Sequence, residues 1–413
     1  MAFRALAAAA VLLVGLGCGS AGGRAGEDVT AERVDPFVLP PGEPPVRGTL
    51  RLAAVFPTVG RYAVSGLQSL NGVRLAVDEI NHAGGIHGRP LELREYRTGS
   101  YFVDARRAAT LAASDGSLAI VGSNSSELSK AVAEEAEAHG LVQVSNVSTA
   151  QDLTWDPETG RNRDFVFRVC SSDVVMGTLL AEFAVNDLGA RRAAVLYEVG
   201  REYSNKLARS FIERFEETSG RKPREFFYLA LETDFRPQLG LIADYAPDVI
   251  FVPGSFTDAT LVAAQATALG LEATFLGGDG WSNPLLFQRG SPPGDAYFVE
   301  LCSPSPEFER RYQAVFGDET QGCRALLGFD AVRVLAEGLR SLGPLGDEDL
   351  AELLPRTRRR LHDTVSVAEV EGLSGEIRFD AHGDRLQGVA LSAVEAGPDG
   401  RPVALQRGWL GER

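Results

Sequence analysis

Asn71-Gly72-Val73-Arg74-Leu75-Ala76-Val77-Asp78-Glu79-Ile80-Asn81-His82-Ala83-Gly84-Gly85-Ile86-His87-Gly88-Arg89-Pro90-Leu91-Glu92-Leu93 joins two hydrophobic periods through one turn. Val73, Ala76, Val77 and Ile80 share one face of a helix expected over residues 67–83. Gly84-Gly85 interrupts that pattern, and a β-like run over 91–96 follows. A helix that closes onto a strand in this way is one unit of an α/β chain.

The unit repeats in both directions. Short apolar runs at 50–56, 119–121, 141–145, 193–197, 249–252 and 273–276 read as strands. Helix-patterned stretches alternate with them at 104–114, 128–139, 176–188, 204–218, 236–245 and 257–269. This alternation predicts an α/β fold of mostly parallel sheets flanked by helices. Such sheets bind ligands beyond the carboxyl ends of their strands, so the strand-to-helix loops are the expected site.

Five of those loops are polar: Gly122-Ser123-Asn124-Ser125-Ser126, Ser145-Asn146-Val147-Ser148-Thr149, Glu198-Val199-Gly200-Arg201-Glu202-Tyr203, Pro253-Gly254-Ser255-Phe256 and Gly277-Gly278-Asp279-Gly280-Trp281. Taken singly, Ser125 or Ser126 reads as an N-cap, and Thr149 and Asp279 read as turn residues. Taken together they suit a zwitterion. Hydroxyls beside N–H groups at a helix start favour a carboxylate, and a lone acid on a Gly-rich loop favours an ammonium.

Composition narrows the function class. At 413 residues the chain is long enough for two or three compact units, and at 44% hydrophobic it can bury a substantial core. A formal charge of −15 argues against a nucleic-acid surface. The five histidines are scattered without metal-ligand spacing, and no phosphate loop, nucleophile elbow or CxxC occurs. Neither catalysis, a metal nor a cofactor is therefore expected. Arg356, Arg358, Arg359 and Arg360 form the one basic cluster and read as a solvated helix face.

The N-terminus reads as an export signal. Arg4 precedes an apolar run over 5–16, which is too short to span a bilayer. The following Gly15-Leu16-Gly17-Cys18 resembles a bacterial lipoprotein box, with Gly15 where Leu is usual, and implies lipid attachment at Cys18. Ordinary secretory cleavage within 19–23 is the alternative. Residues 1–17 are thus an expected signal peptide, and the Gly- and Pro-containing stretch 18–48 an expected flexible tether.

The opening stretch and the order of the loops resemble the leucine/isoleucine/valine-binding protein family, solute receptors of branched-chain amino-acid ABC transporters. The resemblance covers about residues 50–384. Supporting stretches are Phe167-Arg168, Ser172-Asp173, Leu188-Gly189-Ala190, Pro247-Asp248-Val249-Ile250-Phe251, Phe329-Asp330-Ala331-Val332, Gly375-Glu376-Ile377-Arg378-Phe379-Asp380 and Gly383-Asp384. It implies a two-lobed type I periplasmic-binding fold, with lobe 1 formed by 49–169 and 302–371 and lobe 2 by 170–301 and 372–413. Three crossings are implied near 168–172, 298–303 and 371–375. Carried over by residue, Ser126 takes the ligand carboxylate with Ser125 beside it. Ser148 and Thr149 supply second-loop contacts, Tyr203 an aromatic wall and Asp279 the ammonium partner. Tyr62 lies in the first loop and walls the pocket, and Ser255 or Phe256 occupies a loop where relatives carry an aromatic ring.

Two departures detach leucine-like specificity from this resemblance. Tyr96-Arg97-Thr98-Gly99-Ser100 stands where relatives place aspartates, and Asn146 stands where they place proline. Side-chain selection is expected from Tyr62, Tyr96, Ser255, Phe256 and Trp281. With Cys18 acylated, Cys170, Cys302 and Cys323 remain; Cys170–Cys302 and Cys302–Cys323 are the competing pairs, against three free thiols. The implied function is a solute-binding protein, not an enzyme, that hands an amino acid or related small polar ligand to ABC permease subunits. A lipoprotein that senses ligand and signals to a membrane partner is the alternative. Contact with the membrane is expected only through the lipid, and none with nucleic acid.

Overall fold

The computed structural model describes residues 48–411, apart from 284, 288–291, 293, 304, 321 and 398–400. The expected signal peptide, Cys18 and the tether as far as residue 47 lie outside the described residues. Two large sheets organise the rest. The first has five parallel strands in the order β2-β1-β3-β4-β7: β1 (Leu50–Pro57), β2 (Leu91–Thr98), β3 (Ala119–Gly122), β4 (Val142–Ser145) and β7 (Val166–Arg168). A small antiparallel pair, β5 (Trp155–Asp156) and β6 (Arg161–Asn162), interrupts the path from β4 to β7. Every residue of β1 is buried, as its nearly continuous apolar run requires of a strand covered on both faces.

The second sheet has seven strands in the order β16-β15-β12-β11-β10-β8-β9. Parallel strands β8 (Ala193–Glu198), β9 (Arg224–Tyr228), β10 (Val249–Phe251), β11 (Thr274–Gly277) and β12 (Ala296–Glu300) form most of it. Its edge is an antiparallel hairpin of β15 (Val389–Ala396) and β16 (Pro402–Leu410). Strand order 9-8-10-11-12 repeats the 2-1-3-4-7 order of the first sheet. Each sheet therefore has a topological switch point, beside β1 and β3 in one and β8 and β10 in the other, where loops diverge and leave a crevice.

Helices α1 (Ala63–His82), α2 (Phe102–Ser114) and α3 (Ser126–His139) connect the first sheet. Helix α4 (Asp173–Asn186) follows β7, and α5 (Glu202–Ser219), α6 (Arg236–Tyr245) and α7 (Phe256–Ala268) connect the second sheet. The chain then returns: α8 (Pro306–Phe316) and α9 (Arg324–Ser341) pack on α1, and α10 (Leu354–Val365) packs on α9 and β4. A short hairpin, β13 (Val370–Gly372) and β14 (Gly375–Ile377), rests on α9 before the chain rejoins the second sheet.

The opening stretch of sequence explains a close helix contact, that of α1 with α9. A Cβ at Gly72 would stand 1.8 Å from the Ala325 carbonyl, and one at Gly328 would stand 2.5 Å from the Ser69 carbonyl. Glycines facing each other's backbone let α1 and α9 touch. The expected solvated face at Arg356–Arg360 is corrected in part. Arg358 is buried on α10 and donates to the carbonyls of Ala113 and Ser117, and Arg359 lies 4.4 Å over the Phe165 ring. Burial lowers the Arg358 pKa to about 10.

Candidate functional site

A cavity of about 120 Å³, enough for one small molecule, lies at the carboxyl ends of both sheets. From the first sheet it is lined by Tyr62 after β1, Asn124–Glu127 between β3 and the first turn of α3, and Val147 and Thr149 after β4. From the second come Arg201 and Tyr203 at the start of α5, Asp279, Gly280 and Ser282 after β11, and Leu301 after β12. Cys323 and Arg324 at the start of α9 complete the lining. Of the residues singled out from sequence, Tyr62, Ser125, Ser126, Thr149, Tyr203 and Asp279 are thus brought together.

On the first-sheet side one hydroxyl and one amide oxygen lack the bonds that usually occupy such groups. Ser125 takes the N-cap position of α3 but makes no side-chain cap, and its buried Oγ has no partner among the described residues. Asn124 Nδ2 donates to Ser65 Oγ at 2.8 Å, while its buried Oδ1 is also without a partner. Ser148 is not on the cavity surface. Its Oγ bonds Ser129 Oγ at 2.5 Å and donates to the Ser123 carbonyl at 3.3 Å, bracing the loop from behind.

The two sequence departures have structural work. Ser100 Oγ accepts from the Tyr62 N–H at 3.0 Å and donates to the Val59 carbonyl at 2.9 Å, fixing the loop that carries Tyr62. Asn146 Nδ2 donates to Ser69 Oγ at 2.8 Å and to the Arg324 carbonyl at 3.0 Å. It therefore ties the loop after β4 to α1 and to the start of α9.

On the second-sheet side Tyr203 organises the acid. Its hydroxyl donates to Asp279 Oδ1 at 2.8 Å and accepts from the Gly280 N–H at 3.0 Å. Burial raises the Asp279 pKa, while the Tyr203 bond opposes that shift. The Tyr203 hydroxyl is pushed well above its ordinary range by burial and by the Asp279 charge. Across from it, Tyr62 OH donates to Glu127 Oε2 at 3.0 Å, and burial raises its pKa to about 12. Both tyrosines are hydrogen-bond donors at any physiological pH. Burial lowers the Arg324 pKa.

Four of the expected selectivity residues do not line the cavity. Tyr96 is buried and donates to Asp115 at 2.5 Å; Trp281 is buried and donates from Nε1 to the Val252 carbonyl at 3.0 Å. Ser255 is spent on α7, forming a reciprocal cap with Asp258, and Phe256 packs on the apolar cluster of the second sheet. Arg201 and Arg324 line the cavity, two residues that the sequence reading did not single out for the site. Their signal was only proximity: Arg201 lies two residues before Tyr203, and Arg324 follows Cys323.

The disulfide pairs Cys302 with Cys323, joining the end of β12 to the start of α9. Cys170 is free and buried, and burial pushes its thiol up to about 12, so it is inert. Among the described residues no group of three or more His, Cys, Asp and Glu side chains is arranged to hold a metal.

The profile of the periplasmic binding protein family matches residues 49–398. A leucine-, isoleucine-, valine-, threonine- and alanine-binding protein of Pseudomonas aeruginosa is 25% identical over 345 residues, covering 81% of this chain and 87% of that protein. A Leu/Ile/Val-binding protein of Rhizobium johnstonii is 26% identical over 359 residues, covering 86% and 94%. The crystal structure of a leucine-binding protein from Thermotoga maritima matches with a TM-score of 0.74 at 26% identity, covering 88% of this chain and 99% of that one.

Proposed function

The chain belongs to the periplasmic binding protein family, and on that premise we propose that it is the extracytoplasmic receptor of an ABC importer for an amino acid. One observation carries the reading: hydroxyls at the start of α3 and after β4 share a cavity with an acid held by Tyr203. The α-carboxylate sits against Ser125, Ser126, Thr149 and the N-terminal N–H groups of α3, where the helix dipole favours an anion. The ammonium sits on Asp279, whose orientation Tyr203 sets. Ser148 acts by positioning the loop. The names of the relatives, which are described as binding leucine, isoleucine and valine, support an amino acid as the ligand class.

The two groups of contacts belong to different sheets, so one ligand joins both. We assign residues 49–169 and 302–371 to one lobe and 170–301 and 372–413 to the other. Ligand then favours the state in which both lobes touch it, and that closed state is what the permease reads. Arg61 reaches Glu198 at 3.6 Å and Lys130 pairs with Glu202, two ion pairs that link the sheets' loops. No helix among the described residues is long and apolar enough to cross a membrane. We place the anchor at Cys18, as a diacylglyceryl thioether; an unmodified N-terminal peptide by mass spectrometry of the cell-derived protein removes that assignment.

Calorimetry with amino acids tests the function directly. The wild-type chain binds at least one α-amino acid, and Asp279→Ala weakens that binding by at least about tenfold, the range for loss of a charged hydrogen-bonding partner. Unchanged affinity in Asp279→Ala with an unaltered melting temperature refutes the ammonium assignment.

A further inference from the structure

We propose that the preferred ligand is an acidic α-amino acid, whose side chain ends in a second carboxylate, and that Arg201 selects it. This rests on the amino-acid reading above and departs from the aliphatic ligands for which the relatives are named.

Arg201 lies at the N-cap position of α5, lines the cavity, and has its guanidinium carbon 5.3 Å from the centroid of the Tyr203 ring. The ring holds the guanidinium beside the cavity, where its N–H groups suit a planar acceptor. No described carboxylate makes an ion pair or hydrogen bond with it. The acids around it already have partners: Glu198 faces Arg61, Asp258 Oδ2 accepts from the N–H and Oγ of Ser255, Glu127 accepts from Tyr62, and Asp279 accepts from Tyr203.

An arginine cannot relieve burial by losing its proton at neutral pH. A ligand that fills the cavity strips water from this guanidinium, and the cost depends on what replaces the water. An isobutyl or sec-butyl side chain offers no acceptor, leaving the guanidinium to the through-space charges of Asp258 and Glu198 without a hydrogen-bonded partner of its own. A carboxylate offers paired, charge-assisted hydrogen bonds of matching shape. The rest of the lining is largely polar, and among the described residues Val147 and Leu301 are its only open-chain aliphatic side chains. That is little apolar surface for a branched hydrocarbon group.

The test is calorimetry on the full-length chain with L-glutamate, L-aspartate, L-glutamine, L-leucine, L-isoleucine and L-valine, for wild type, Arg201→Gln and Arg201→Lys. The expected result is at least about tenfold tighter binding of glutamate or aspartate than of any neutral ligand, equal to about 1.4 kcal/mol. Arg201→Gln should erase that preference, and Arg201→Lys should restore part of it. Unaltered melting temperatures show that the variants fold. If a branched aliphatic ligand binds best to wild type, or if Arg201→Gln keeps the acidic preference, the inference is overturned while the receptor reading stands. If no amino acid binds, both fall together.

Discussion

Asp173 opens α4 with its N–H bonded to the Thr149 carbonyl at 2.7 Å, and its side chain is fully buried with neither oxygen hydrogen-bonded at ordinary length. Burial raises its pKa from 3.8 to about 7. The sign of the stability effect follows. Below the unfolded value the carboxyl is protonated in folded and unfolded chains alike. Through the window up to about 7 the folded chain holds the proton and the unfolded chain does not, so stability falls as pH rises. Asp173→Asn should therefore raise stability at about pH 8 by roughly 1–3 kcal/mol and leave it nearly unchanged at about pH 4. Denaturant melts at the two pH values decide this; an equal gain at both would exclude titration of Asp173 as the cause. Legibility at this scale followed chemical rarity. A lone aspartate among glycines stood out, whereas Arg201 and Arg324 were two of 38 arginines (41 Lys+Arg less Lys130, Lys206 and Lys222). Nothing local in an arginine says whether it meets water or a cavity.

Secondary elements were legible where a strand or helix carried its own period. Helix α6 spans the predicted 236–245, and β1, β2 and β8 start at the predicted residues. The capping box at Ser255 and Asp258 is written in sequence as S-x-x-D, a local signal that accounts for the loop without any ligand. After residue 276 the sequence suggests only one element, the helix face at Arg356–Arg360 that falls in α10. The hairpin of β15 and β16 has exposed positions along most of β16, so it lacks a continuous apolar run. Helix α9 is buried along most of its length, with Arg333, Glu337 and Arg340 on its one less buried side. The start of α9 also depends on the disulfide. Cys302–Cys323 closes a 21-residue separation between β12 and α9, so its reduction, or Cys302→Ser, should cost roughly 3 kcal/mol. Because Cys323 lines the cavity beside Arg324, ligand affinity should fall with it. Melts and calorimetry with and without reductant measure both effects. Unaltered stability on full reduction would show the bridge to be dispensable.

For the whole molecule, the two sheets repeat one strand order and turn their switch points toward one cavity. The chain leaves the first sheet after β7, returns to it through α8, α9 and α10, and finishes on the second sheet. The buried Arg168 meets Asp384 through two bonds, Nε to Oδ1 at 2.6 Å and an N–H to Oδ2 at 2.8 Å. Two stretches 216 residues apart are thereby clamped where the path crosses. By itself the sequence determined the α/β class, the run of strands and helices as far as residue 276, and the loops that bear the site. Periodicity and loop chemistry are properties of neighbours in the chain, so they survive without a third dimension. Tertiary structure alone decided which thiols pair, why Asn146 and Ser100 replace the residues expected there, and which side chains line the cavity. Each of those depends on a contact between distant segments, and a cavity has no local pattern. The opening stretch shows the division: its helix, turn and strand are legible by period, but Gly72 is explained only when Ala325 arrives against it.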